Sequence, residues 1–150
     1  MTTLRPAIVD TNVVVSGLLT LKANAPTRRV LDGMLAGTFR FLLSVELLAE
    51  YREVLLRSAI QKRHRLDEDD VDSLLATIVK EAMIRDPSSS ATAPDPGDQH
   101  VWDLLGAYPQ ALLVTGDRQL VAGAPAEASV LSPAAFVRLL DLQRRPRRSR

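Results

Sequence analysis

Three observations predict an α/β fold with a parallel sheet and helices on both of its faces. Short, almost wholly apolar runs recur at residues 6–9, 39–43 and 111–115. They are too short for helices and lack the alternation of half-exposed strands, as expected of buried parallel strands. Segments with helical apolar spacing separate them, and strands alternating with helices favour parallel pairing.

Residues 6–10, Pro-Ala-Ile-Val-Asp, form the first predicted strand, with Asp10 at its C-terminal end. Val13, Val14 and Val15 lead to Ser16-Gly17, read as a loop or short helix. A helix opens at Ala25-Pro26-Thr27 and runs to residue 36, with Val30, Met34 and Leu35 apolar and Gly37 closing it. Residues 39–43 are a second strand. Ser44 is a candidate N-cap, but Leu47 three residues on precludes a capping box. The helix it opens extends to about residue 58, with Val45, Leu48, Leu55 and Leu56 apolar and Glu46, Glu50, Glu53 and Arg57 charged. Residues 61–65 read as a basic turn. The acids at 67–70 suit a helix N-terminus, and that helix continues through Leu74, Leu75 and Ile78 to residue 80. Residues 82–84 form a short strand. Residues 86–97 hold three prolines, three serines and a glycine, which marks a loop. A helix follows over 98–107, then a strand over 111–115 ending at Gly116-Asp117, then a last strand over 129–131. Ser132-Pro133, an N-cap followed by proline, opens a final helix to about residue 142. One domain is expected over residues 1–143, followed by a basic, disordered tail at 144–150. No internal repeat is present.

The chain has 150 residues, enough for one buried core. It has no cysteine, which excludes disulfides, thiolate zinc sites and a cysteine nucleophile. With only His64 and His100, a histidine-rich zinc site is not expected. No secretory signal is visible and no uncharged apolar run approaches 18 residues, so a cytoplasmic protein without membrane association is expected. The net charge of +1 conceals an asymmetry. Arg144, Arg145, Arg147, Arg148 and Arg150 all lie in the tail, leaving 14 basic against 18 acidic side chains elsewhere.

Parallel α/β sheets bind ligands beyond the carboxyl ends of their strands. Asp10 and Asp117 stand at such ends, and Glu50 and Asp98 lie in the first part of helices near them. Carboxylates gathered at one sheet edge repel each other, and such clusters are kept mainly to hold Mg²⁺ or Mn²⁺. Two such ions roughly 3.5–4 Å apart can clamp a phosphoryl displacement. Each residue also has a plainer reading. Asp10 also reads as a helix cap or turn residue after a strand, with an Asx-turn in Asp-Thr-Asn. Glu50 shares one side of its helix with Glu46 and Glu53. Asp98 competes with Asp95 and Asp103, as a cap or turn residue. Asp117 suits a strand-end turn. Ser44 and Thr115 either support the carboxylates or cap. His100 is a general base or, the favoured reading, an exposed helix residue without a fixed partner. Trp102 reads as core rather than a stacking platform. The basic residues at 61–65 and the arginine tail either contact phosphates or are solvated.

The segments IVDTNVVVSGLL, SVELLAEYREVL, RDP followed by DPGDQHVWDLL, and LLVTGDRQL together resemble the PIN-domain ribonucleases, of the kind that form the toxin of toxin–antitoxin pairs. The resemblance spans residues 5–142. It implies a three-layer α/β/α sandwich around a parallel sheet of about five strands in the order 3-2-1-4-5. It also implies a Mg²⁺- or Mn²⁺-dependent endoribonuclease that hydrolyses single-stranded RNA. The family's four acidic positions fall on Asp10, Glu50, Asp98 and Asp117, as catalytic and metal-holding residues. Its supporting polar positions fall on Asn12, Thr115 and Ser44. Lys62, Arg63 and Arg65 are candidate RNA contacts. There are departures: Gly97 and Gln99 interrupt a segment often denser in aspartate, Asp103 replaces a small or apolar residue, and residues 88–94 look inserted. None removes a metal ligand.

A small antitoxin using arginine against the carboxylates and a homodimer are the partners the resemblance implies. A housekeeping RNA-processing nuclease of the same fold and a non-catalytic nucleic-acid-binding scaffold are the alternatives. A receiver domain fits less well, because it needs a late lysine and none follows Lys80.

Overall fold

Burial selects the strands. Ala7, Ile8 and Val9 are fully buried and form β1 (Ala7–Val9). The computed structural model describes residues 4–86, 99–117 and 129–144. After β1 come α1 (Thr11–Leu19), α2 (Pro26–Ala36), β2 (Leu42–Leu43), α3 (Val45–Leu55), α4 (Ser58–His64) and α5 (Glu68–Glu81). Then follow β3 (Met83–Ile84), α6 (Gln99–Ala107), β4 (Leu112–Val114), β5 (Ser129–Leu131) and α7 (Pro133–Arg144). No helix among the described residues is long and apolar enough to cross a membrane.

Among the described residues all strand pairing is parallel, as expected, but a single five-stranded sheet does not form. β1, β4 and β5 make a three-stranded sheet in the order β1-β4-β5, and β2 and β3 make a separate pair. The two meet at one bridge, Ala7 to Phe41, where the Ala7 amide donates to the Arg40 carbonyl at 3.0 Å. The reason is strand length. With three residues in β1 and two in β2, one bridge is all the ladder that forms between them. Within the larger sheet, Val9 pairs with Val114 and Val114 with Leu131, so the carboxyl ends of β1, β4 and β5 lie level.

The helices explain the differences from expectation. Of the loop and the short helix open at Ser16-Gly17, the short helix forms, and it also takes in Val13–Val15 as part of nine-residue α1. β-Branched residues are only weakly unfavourable in helices, and here Val13, Val14 and Val15 gain burial in the core. Gly17 is required there because a Cβ would come within 2.6 Å of the Thr27 carbonyl oxygen of α2. α2 starts on Pro26 and ends at Gly37, whose φ of 69° is the left-handed cap that glycine adopts without strain.

The helix expected to reach residue 58 stops at Leu55, and the segment expected as a basic turn is largely the helix α4. His64 fixes this corner. Its Nε2 donates to the Leu55 carbonyl at 2.8 Å, and its Nδ1 accepts from the Leu66 amide at 2.9 Å. A neutral imidazole protonated on Nε2 satisfies both. Arg65, with φ of 60°, then turns the chain. α5 opens with a capping box in which Asp67 and Asp70 exchange side-chain-to-amide bonds of 2.8 and 3.2 Å. Its buried face is Val71, Leu75 and Ile78, one helical stripe. α7 runs to Arg144, one residue past the expected domain end, and Ser132 Oγ accepts the Ala135 amide at 3.1 Å as predicted for an N-cap. The remainder of the basic tail lies outside the described residues.

The largest fully buried side chains are Tyr51, Phe41 and Phe136, and Phe39 meets the Phe136 ring edge-on with centroids 4.9 Å apart. Aromatic pairs in this arrangement add roughly 0.5–1.5 kcal/mol beyond area burial. Trp102 belongs to the same core, as the sequence suggested.

Candidate functional site

A single residue joins β1 to α1. Asp10 follows Val9, the last residue of the strand, and caps the helix, and it is only 6% exposed. Its Oδ1 accepts the Thr11 amide at 2.9 Å. Its Oδ2 accepts Thr115 Oγ1 at 2.7 Å and Asn12 Nδ2 at 3.2 Å. Thr115 reaches it because the Val9–Val114 register sets the residues after β1 and β4 side by side. Thr115 Oγ1 also accepts the Asp117 amide at 3.0 Å, and the Gly116 amide donates to Asn12 Oδ1 at 3.5 Å. One polar network thus ties the carboxyl ends of two neighbouring strands. The plain cap reading of Asp10 holds, and the same side chain also lines a cleft.

Glu50 comes to this place on α3. Its Oε2 accepts Thr11 Oγ1 at 2.6 Å and lies 2.6 Å from His100 Nε2. The next residue, Tyr51, is fully buried and donates its hydroxyl to the Val9 carbonyl at 2.5 Å, which fastens α3 against β1 one residue before Asp10. Burial pushes the Tyr51 phenol up, helped by the charges of Asp10 and Glu50, so it stays a donor.

Burial also pushes the Asp10 carboxyl up from its ordinary value. The Thr115 and Thr11 hydrogen bonds oppose this, and the charges of Glu50 and Asp117 add to it. Among the described residues, the groups that shift Asp10 are neutral donors and two carboxylates. A buried carboxylate in such company is a place where a cation would be strongly favoured.

The three acids open on a cleft of about 390 Å³. Asp10, Asn12, Glu50 and Asp117 stand at one part of its wall, Val15, Leu19, Val54 and Ile60 supply apolar surface, and Arg57 and Arg63 supply positive charge. Glu50 and Val54 share a face of α3 at helical spacing, Arg57 stands at the N-cap of α4, and Ile60 and Arg63 enter from α4.

The other expected site residues divide. Asp98, with Asp95 and residues 88–94, lies outside the described residues. Ser44 caps α3 by accepting the Leu47 amide at 3.1 Å and makes no bond to an acid among the described residues. Of the three basic candidates, Arg63 alone lines the acidic cleft. Lys62 and Arg65 face a separate open groove beside Gln61 and Asp67, because successive residues of a helix point in different directions. Glu46 and Glu53 are exposed, and Glu53 lies 3.4 Å from Arg57. Asp103 accepts Gln99 Nε2 at 2.8 Å.

His100 is the clear correction. The exposed, unpartnered helix residue favoured from sequence is 16% exposed at its side chain and touches Glu50. Thr11 and Arg57 were also missed as site residues. The available signal was helical spacing. His100 lies one turn before buried Leu104, and Thr11 sits between two residues already singled out.

Among the described residues, no group of three or more His, Asp or Glu side chains is gathered tightly enough to hold a metal ion. The chemistry of the donors nevertheless fits one class of ion. Carboxylates supported by Asn and Thr, with no thiolate, suit hard divalent cations. The lining of one cleft by Asp10, Glu50 and Asp117 is what ties this fit to the cleft.

Against known proteins, a family model described as a PIN domain matches residues 6–119, a span that includes all four expected acids. None of the curated proteins matches the chain.

Proposed function

This chain belongs to the PIN-domain family, whose members are generally nucleases, and from that premise we propose that it is a metal-dependent endoribonuclease that hydrolyses single-stranded RNA as the toxin of a toxin–antitoxin pair. The observation that carries the catalytic reading is the convergence of Asp10, Glu50 and Asp117 on one cleft that also presents Arg57 and Arg63. Asp10, Glu50 and Asp117, together with Asp98, would hold Mg²⁺ or Mn²⁺. Such an ion supplies an activated water and neutralises charge developing on a phosphate.

The remaining roles belong to the chain itself. Thr115, Asn12 and the Thr11 amide hold Asp10 in one orientation. Thr11 Oγ1 holds Glu50. Arg63 and Arg57 would contact backbone phosphates near the acids and offset the repulsion between an anionic chain and a carboxylate cluster. No cysteine is present to act as a covalent nucleophile, and the proposed reaction is direct hydrolysis. The antitoxin partner would cover the cleft and pair arginine with its carboxylates.

Purified protein incubated with a mixed single-stranded RNA pool tests the enzyme reading. Cleavage is expected with Mg²⁺ or Mn²⁺, and none with EDTA or with Asp10→Asn. Full activity of Asp10→Asn would sink the assignment. Expression in a bacterial host tests the toxin reading: growth arrest is expected from the native protein and not from Asp10→Asn, and unaffected growth with an RNA-cleaving protein would favour a processing nuclease.

A further inference from the structure

We propose that His100 is a positioning residue of the site: through Nε2, and together with Thr11, it fixes one oxygen of Glu50 so that the other faces the cleft. The inference rests on the metal-dependent reading above and assigns a role to a residue outside the acidic quartet.

Both contacts fall on the same atom. Thr11 Oγ1 donates to Glu50 Oε2 at 2.6 Å, and His100 Nε2 lies 2.6 Å from that same Oε2. No hydrogen bond engages Glu50 Oε1 among the described residues. Two groups from α1 and α6 therefore converge on one side of a carboxylate carried by α3. A glutamate on its own has three rotatable bonds, and ordering it costs side-chain entropy. Locking it from two sides before a cation arrives removes that cost from the binding step.

The state of the His100 ring points the same way. Its Nε2 is buried and, close as it is to Glu50, lacks an aligned hydrogen-bond partner. The polar atom within its reach is Glu50 Oε2, and a buried ring nitrogen with no polar group to face would be destabilising. An apolar residue at this position would avoid that cost, and the neighbouring Val101, Trp102, Leu104 and Leu105 are all apolar and buried. A histidine retained among them, against a cleft-lining carboxylate, is explained by what it does to that carboxylate.

The test compares the native protein, His100→Gln and His100→Leu. Glutamine places an amide nitrogen near the position of Nε2, whereas leucine fills the space without a donor. Mn²⁺ binding to chelator-stripped protein is measured by calorimetry, and kcat and KM are measured separately on a single-stranded RNA. His100→Leu should weaken Mn²⁺ binding by about 10–100-fold, the usual scale for a partner that orients a metal ligand. It should also lower kcat with little change in KM, and keep or raise the thermal midpoint of the metal-free protein. His100→Gln should recover most of the binding. Native-like Mn²⁺ affinity in His100→Leu overturns the proposal, as does a glutamine variant as defective as leucine, which would make His100 itself a ligand. Failure of the native protein to bind Mn²⁺ would instead remove the metal reading, and this inference with it.

Discussion

The two walls of the cleft are built on opposite physical terms. On the sheet side, Asp10 and Thr115 are almost fully buried, and the donors on Asp10 are fixed at 2.7, 2.9 and 3.2 Å. On the α4 side, Arg57 at the N-cap and Arg63 within the seven-residue helix are both exposed, and the helix has no buried residue of its own. The first wall is rigid and carries electrostatic strain, because a carboxylate is held where its charge is disfavoured. The second presents exposed positive charge beside the apolar Ile60. A geometry-demanding ligand such as a hard cation fits the first, and a variable, flexible phosphate chain fits the second.

That contrast is broken most strongly at Thr115. Thr115→Val keeps the shape but removes the donor to Asp10 Oδ2 and the acceptor of the Asp117 amide. Divalent affinity or cleavage should fall by about 10–100-fold, with a stability loss of about 1–3 kcal/mol for the unsatisfied groups. Metal titration and denaturant unfolding check the two parts. Unchanged metal affinity would mean that Asp10 does not need its orientation fixed.

A smaller effect separates the basic residues from one another. Arg63→Ala should raise KM several-fold and reduce the slope of log affinity against log salt by about 0.7, the value of one phosphate contact on a single strand. Lys62→Ala, one residue away but facing the other groove, should leave both unchanged. Equal effects from the two would show that only overall charge matters and that the walls of the cleft are not distinguished.

The smallest expected effect is on stability and concerns Asp10 alone. A carboxyl whose folded pKa lies above its unfolded value binds its proton more tightly in the fold. In the metal-free protein its contribution is therefore fully present below the ordinary value of 3.8 and is lost as pH rises through the raised folded value. Asp72 runs the other way, since the Arg52 guanidinium holds its carboxyl low. That pair is exposed and weak. The melting temperature of the native protein relative to Asp10→Asn should thus rise as pH falls from neutral toward 4. A difference independent of pH would contradict a raised Asp10.

The elements that local chemistry dictates were legible from the residues. Pro26 and Gly37 bound α2, the acids at 67–70 open α5, Ser132-Pro133 opens α7, and the apolar runs are parallel strands. So was the placement of Asp10 and Asp117 at strand ends. These follow from caps, fixed φ angles and apolar periodicity, which act over a few residues.

The break between α3 and α4 was not legible, because what holds it is His64 reaching back nine residues to the Leu55 carbonyl. Nor could the sequence separate Glu50 from Glu46 and Glu53. All three lie on one part of α3, and only packing of that helix against α1 decides which meets Thr11, 39 residues away. His100 was misjudged for the same reason: its partner comes from another helix. Short-range chemistry determined which acids this chain places at the edge of a sheet. Only the tertiary structure decided which polar groups hold them there and which cations face them, because those contacts join residues that no local pattern relates.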